Sequence, residues 1–394
     1  MMELTPNESH VMLSLITNPE HSDTELSEAV GMNPFTFNKV KNSILKRGLL
    51  RRELVPNYGR VGFELLVVSF GGRIETFLDP VSRMEMLQKL EGEIPTHFFF
   101  RLMEATQGLG LHALEDFTLF KKGLVLKRKI ASFMGDNLSS IEHVAFSFRD
   151  IRMEKFFDLG DLLSDIYGNG MEVPKLEPTS PAQKAASISW FDFFNYDRKG
   201  NGSDIDDREM DIMKVLVSRP MLSDPELCEL LSMSRYKLRK ARDSFYERGL
   251  LKPLLIPDPR VLGLDVIIFT HAMFKPECQP MELLHQYSEH FPPNLILVVS
   301  DFQEAVALGV YRTLSEGVNA QKRMIEELSA QNVLEKEPVS HIFSLPNCRG
   351  DWPLTLQGPL MNKGDWALSP QVMEWLVKIS PRGPGSRRRS PRSS

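Results

Sequence analysis

The run Ser234-Arg235-Tyr236-Lys237-Leu238-Arg239-Lys240-Ala241-Arg242 carries five cations in nine residues and no acid. Arginine and lysine at helical spacing suit phosphate oxygens and guanine edges, and an aromatic such as Tyr236 can meet a base or a sugar. Taken alone, the run reads equally well as a solvated helix face. Lys252 follows at the start of a predicted strand. A less charged set stands earlier in the chain: Phe35, Thr36, Asn38, Lys39, Lys41 and Asn42, then Arg51 and Arg52. Asparagine can pair bidentately with adenine, so this second set favours reading over anchoring, unless it has lost nucleic-acid contact altogether. These residues form the candidate DNA-binding set. Arg387-Arg388-Arg389 and Arg392, near the C-terminal end, would add non-specific phosphate attraction or serve only as a solubilising end.

Other chemistry is thinner. Among the nine histidines, His143 and His341 fall at matching places near the start of a predicted strand, and His97 and Arg101 flank Phe98–Phe100. Histidines so placed read first as satisfied strand-edge residues. Gly108-Leu109-Gly110 lacks the third glycine of a dinucleotide loop. The acidic run from Asp197 imitates a calcium loop, but Lys199 and Arg208 stand where oxygen ligands are required. Cys228, Cys278 and Cys348 are odd in number and far apart, which suits reduced thiols rather than a disulfide frame or a zinc site. The residues therefore predict no catalytic group, no metal and no cofactor, and a chain that is not an enzyme.

The elements that must position the cations are written twice. Shifted by 201 positions, residues 11–63 fall on 212–264 without a gap, with 18 of 53 identical. That period is far longer than a solenoid unit, so a whole module is duplicated and fused. Val11, Met12, Leu15 and Ile16, copied by Ile212, Met213, Leu216 and Val217, have helical spacing. Ser22 with Glu25, and Ser223 with Glu226, read as capping boxes opening a short helix. After a tight break a longer helix follows, with Phe37, Val40 and Ile44, or Leu238, Ala241 and Phe245, as its buried face. Gly48 and Gly249 stop it, and 49–55 and 250–256 read as a wing. The remainder of each repeat alternates strands and helices. In the first, strands at 65–70, 97–102, 108–114 and 143–148 enclose helices at 80–90 and 116–134. In the second, strands at 266–274, 295–299, 305–311 and 339–345 enclose helices at 280–290 and 314–330. This βαββαβ order is the split βαβ.

The predicted fold class is α+β: two tandem copies of a winged helix-turn-helix followed by a ferredoxin-like βαββαβ domain. The boundaries are 8–60 and 61–170 for the first copy, 171–204 for a linker, and 205–260 and 261–350 for the second copy. An extension with one helix at 369–379 covers 351–380, and a disordered basic tail covers 381–394. The sheets should pack face to face as an intrachain pseudo-dimer, with further homodimerisation left open. A net charge of −5 argues against bulk attraction to nucleic acid but leaves local basic faces free to act. No stretch reaches membrane-spanning length and no signal peptide is visible, so a cytoplasmic location is expected and no membrane partner.

The order of elements resembles the Lrp/AsnC (feast–famine) transcription regulators. Asp23 to Pro34 looks like that family's second helix, turn and recognition-helix start, and Lys46-Arg47-Gly48-Leu49-Leu50 like its exit into the wing. The resemblance implies a sequence-specific regulator of transcription that binds double-stranded DNA, with a small-molecule effector left open. The chain departs from the family in being fused in tandem. It also departs at the turn between the middle strands, where the family's glycine–acidic pair is reduced to Ser300-Asp301 in the second repeat. Siroheme decarboxylases share the layout and use His and Arg in the sheet domain, a usage that His97 and Arg101 resemble faintly. That tetrapyrrole enzyme, or a winged-helix scaffold for protein or RNA, is the alternative.

Overall fold

The computed structural model describes residues 4–72, 97–104, 107–134, 141–167, 173–195, 205–348 and 356–361. The first half runs α1 (Pro6–Thr17), α2 (Asp23–Ala29), α3 (Pro34–Lys46), β1 (Leu50–Pro56), β2 (Leu65–Gly72), β3 (Phe98–Met103), β4 (Gln107–Leu114), α4 (Phe117–Met134), β5 (Ile141–Ser147), β6 (Arg152–Phe156) and α5 (Gly160–Tyr167). Two short helices, α6 (Pro181–Ser187) and α7 (Trp190–Phe194), lead to the second half. There follow α8 (Asp207–Ser218), α9 (Asp224–Leu230), α10 (Arg235–Glu247), β7 (Leu251–Pro257), β8 (Val266–Met273), α11 (Pro280–Tyr287), β9 (Leu295–Ser300), β10 (Glu304–Tyr311), α12 (Leu314–Ala330), β11 (Val339–Ser344) and α13 (Gln357–Met361). The helix expected at 80–90, that at 369–379 and the basic tail lie outside the described residues.

Local chemistry repeats with the 201-residue period. Thr5 and Glu8 close a capping box on α1, and Asp206 and Glu209 close its copy on α8. The same glutamates then reach the end of the long helix: Glu8 pairs with Arg47, and Glu209 with Arg248 at 2.5 Å. Asp23 holds Lys41 at 2.6 Å, and Asp224 holds Arg242 at 2.9 Å. Each long helix is thus tied at its middle and at its C-terminal end to the helices before it. Its buried face is the expected one, with Phe37 and Ile44, or Leu238 and Phe245, wholly inaccessible. Gly48 and Gly249 stop the helices at φ of 67° and 62°.

The two predicted wings are corrected by their pairing. β1 and β7 do not fold back within their own repeats but pair antiparallel with each other, and Glu53 faces Leu254, its own counterpart 201 positions on. An intrachain two-fold therefore passes through this ribbon. Strands too short to be stable alone gain a partner this way.

Every remaining strand pair is antiparallel, giving a chain of helices and antiparallel sheets. One sheet has the order β3-β4-β2-β5 and the other β11-β8-β10-β9-β6. The two orders match except for β6, which leaves its own half and pairs with β9 of the other. No reading of the sequence expected β6, whose Arg-Met-Glu-Lys-Phe mixes charge and apolar side chains without a clean alternation. The sheets face each other: Phe70 of β2 meets Phe269 of β8 at 4.6 Å between ring centroids. Glu104 accepts from the Ser344 amide at 2.6 Å, and Gln107 donates to the Ile342 carbonyl at 2.5 Å, joining the hairpin of one sheet to the edge of the other.

The linker is a strap with its own structure. Asn18, after α1, bonds the Pro174 carbonyl and the Leu176 amide at 2.9 and 2.7 Å, and Gln183 of α6 donates to the Glu20 carbonyl. Trp190, Phe193 and Phe194 then pack around Phe156 of β6. Aromatic burial of this size outweighs the polar composition that suggested an open linker.

Candidate nucleic-acid interface and the histidines of the sheets

The first turn of each long helix puts an aromatic into solvent at the same place. Phe35 is 79% exposed and Tyr236, its counterpart, 76%. Both helices start from a polar cap, Asn33 accepting from the Phe35 amide and Ser234 from that of Lys237. A cap fixes the first turn and so fixes what that turn presents. Around Tyr236, Arg235, Lys237, Arg239 and Lys240 are exposed, while Leu238 alone in that stretch is buried. Arg239 meets Asp243 at 3.6 Å across one turn, a weak surface approach. Around Phe35, Asn38, Lys39 and Asn42 are exposed and Thr36 is half-buried. Lys41 and Arg242 are held by Asp23 and Asp224 on the flank facing the preceding helix. They brace the helices.

The wing residues divide differently from expectation. Lys252 is 3% exposed, with its ammonium donating to the carbonyls of Ala185 at 3.2 Å, Ala186 at 2.7 Å and Ile188. It also lies 4.7 Å from the Trp190 ring centroid. Burial pushes its pKa down to about 8. This lysine caps the end of α6 and reaches no groove, so it leaves the DNA-binding set. Its counterpart Arg51 is exposed, its nearest carboxylate being Glu53 at 3.8 Å. Arg52 is half-buried and forks onto Glu20 at 2.6 and 2.9 Å. Burial works against its charge, and the Glu20 carboxylate more than offsets that, holding its pKa above the usual arginine value. Arg52 is structural as well.

His143 and His341 are not brought together. His143 pairs with Ser69 in the ladder and hydrogen-bonds its hydroxyl at 2.9 Å, on the face covered by α4, whose Phe120 lies 5.8 Å away. His341 pairs with Phe269 and packs on Phe70 at 5.6 Å, between the sheets. The two are one position out of register, and a one-residue slip exchanges faces. Their expected equivalence is corrected accordingly. The true match of His143 is Ser340, whose partner Thr270 copies Ser69. His97 is fully buried, and Arg101 lies over Phe98 at 5.6 Å, burial pushing its pKa down.

Between the sheets, His271 is 5% exposed and bonds Glu304 at 2.7 Å, and Phe70 stands 5.4 Å from its ring. Burial holds His341 below the usual histidine value against the pull of Glu142. No sequence argument singled out His271, because it replaces Phe70 of the first repeat inside an apolar strand. Among the described residues no cluster of His, Cys, Asp and Glu could hold a metal ion, and no helix is long and apolar enough to cross a membrane.

No family model matches the chain, and no curated protein does. Solved structures do. The crystal structure of the siroheme decarboxylase NirDL aligns over 95% of this chain and 98% of its own, at 14% identity and a TM-score of 0.42. Its complex with an iron-uroporphyrin III analogue aligns over 94% and 99%, at 14% identity and 0.45. LrpC of B. subtilis aligns over 36% of this chain and 94% of its own, at 19% identity and 0.29. AsnC/Lrp regulators therefore match about a third of the chain each. The structures that match nearly all of it are those of an enzyme, which overturns the expectation of a non-enzymatic chain. At these TM-scores neither kind of neighbour gives any residue of this chain a role.

Proposed function

We propose that the chain is a sequence-specific DNA-binding regulator of transcription. In this reading, two helix-turn-helix units, at 8–60 and 205–260, share the β1–β7 ribbon in place of separate wings and are held by ferredoxin-like domains that pair within the chain. The observation that carries it is the paired outward face of α3 and α10. At equivalent positions each presents an aromatic beside cations and amides, while the cations behind that face are tied to Asp23 and Asp224. A solvated helix face has no need of an exposed phenyl and an exposed phenol at the same place in two repeats. Recognition helices present such residues to the major groove, and a two-fold pair addresses half-sites about one helical turn apart. The β1–β7 ribbon supports a fixed separation of the two helices, since it joins the repeats directly.

The test is binding of duplex DNA by the full chain across a salt series. Affinity should fall with a log–log slope of roughly −0.9 per phosphate contact, and Arg235→Glu with Arg239→Glu should abolish it. Absence of binding at low salt refutes the proposal.

A second reading places chemistry between the sheets, and the His271–Glu304 hydrogen bond beside His341 favours it, since it brings two imidazoles and a carboxylate together there. The group fits an iron tetrapyrrole poorly, because Phe70 packs against both imidazoles, at 5.4 and 5.6 Å between ring centroids. An absorbance titration with an iron tetrapyrrole decides it: a saturable band shift lost in His271→Ala supports this reading, and none removes it.

A further inference from the structure

Resting on the DNA-binding reading, we infer that Asn38 and Arg239 read the same base position in two half-sites, adenine in one and guanine in the other. The argument starts from the repeat. The two long helices are matched residue for residue by the 201-position shift, each starts from a polar cap, and they are tied alike by Asp23–Lys41 and Asp224–Arg242. What differs between their outward faces is therefore a difference in what is read, not in how the helix is presented.

Three matched pairs, exposed in both helices, carry the comparison. Lys39 and Lys240 are the same residue type at equivalent places, which suits a contact common to both half-sites, the phosphate backbone. Phe35 and Tyr236 are both large, flat and exposed. Asn38 and Arg239, one helical step before the shared lysine, are both exposed and differ in kind. An asparagine amide matches the N7 acceptor and N6 donor of adenine, whereas a guanidinium matches the N7 and O6 acceptors of guanine. The ring of Phe35 beside Asn38 suits a thymine methyl, so the first half-site is richer in A·T. The site as a whole is asymmetric, although the protein around it is two-fold. Asp243 is compatible with this role, because at 3.6 Å it meets Arg239 across a turn and leaves the guanidinium 79% exposed.

The experiment is selection of bound duplexes from a random pool by the full chain and by Asn38→Arg and Arg239→Asn, with thermal melting of each variant to confirm folding. The wild type should return one A-preferring and one G-preferring half-site. Asn38→Arg should convert the first to G and make the site nearly palindromic, and Arg239→Asn should convert the second to A. Each wrong base should cost roughly five- to 150-fold in affinity, the range of one bidentate contact. A palindromic wild-type site, or preferences that both substitutions leave unchanged, overturns the inference while the DNA-binding reading stands. No enrichment by a wild type that melts cooperatively overturns both.

Discussion

Glu53 sits on the intrachain two-fold, 7% exposed, opposite Leu254. Burial raises its pKa from 4.5 to about 7, against the opposing pull of Arg51. That guanidinium approaches no closer than 3.8 Å and is itself 44% exposed, so it restores little of the lost hydration. The sign follows directly. The folded chain holds the proton more tightly than the unfolded one, so stability is full below about pH 4.5 and falls as pH rises towards 7. From 4.5 to about 7, at roughly 1.4 kcal/mol per pH unit, the loss is about 3 kcal/mol. Glu53→Gln keeps the shape and removes the titration. Its urea midpoint should equal that of the wild type near pH 4 and exceed it by the equivalent of about 3 kcal/mol near pH 8. Glu53→Leu, which copies the residue across the axis, should show the same pH dependence. A difference that stays constant with pH, or a wild type more stable than the glutamine variant near pH 8, would refute the reasoning.

Two further perturbations follow from the same halves. Lys252→Met should leave three carbonyls at the end of α6 without their cation and cost roughly 2 kcal/mol, with faster proteolysis within 173–195 as the local readout. Ser232 occupies a left-handed turn at φ 48° where the first repeat has Gly31 at 62°. Ser232→Gly should raise the thermal midpoint by the equivalent of about 1 kcal/mol, while Gly31→Ser should lower it by a similar amount.

Much of this architecture was legible because the sequence states it twice. Helices α3 and α10, their caps and their buried faces follow from periodicity and from Ser, Asn and Glu at fixed offsets, and strands β2 and β8 stand 201 positions apart like the helices before them. What escaped is whatever depends on a partner distant in sequence. β1 and β7 read as two wings because each has a wing's spacing; only the register shows them to be one ribbon. β6 is an edge strand whose mate, β9, lies far along the chain, and nothing local marks it. Lys252 reads as a wing cation by position, yet its environment comes from α6, a helix hidden in a stretch rich in Pro, Ser and Ala. His143 and His341 seem matched by their distance from other elements, and one position of register separates their faces.

The pattern of divergence between the repeats itself bears on function. Two sets of braces are kept in both repeats: Glu8 and Glu209 on Arg47 and Arg248, and Asp23 and Asp224 on the flank of the long helix. Those pairs are partly exposed, and surface pairs of this kind contribute little stability each, so their value to a duplicated chain lies in fixing the orientation of α3 and α10. Two of the differences bear on function: the outward face of those helices, and the position between the sheets where Phe70 faces His271. Under the proposed function, the first is the face that would meet DNA. The second joins the two halves, and there an aromatic ring against an imidazole makes the interface directional, as two identical phenyl rings would not. The asymmetry inside the molecule thus runs parallel to the asymmetry it presents, and a chain that fixes which half is which can also hold two unlike helices in a fixed order along one DNA site.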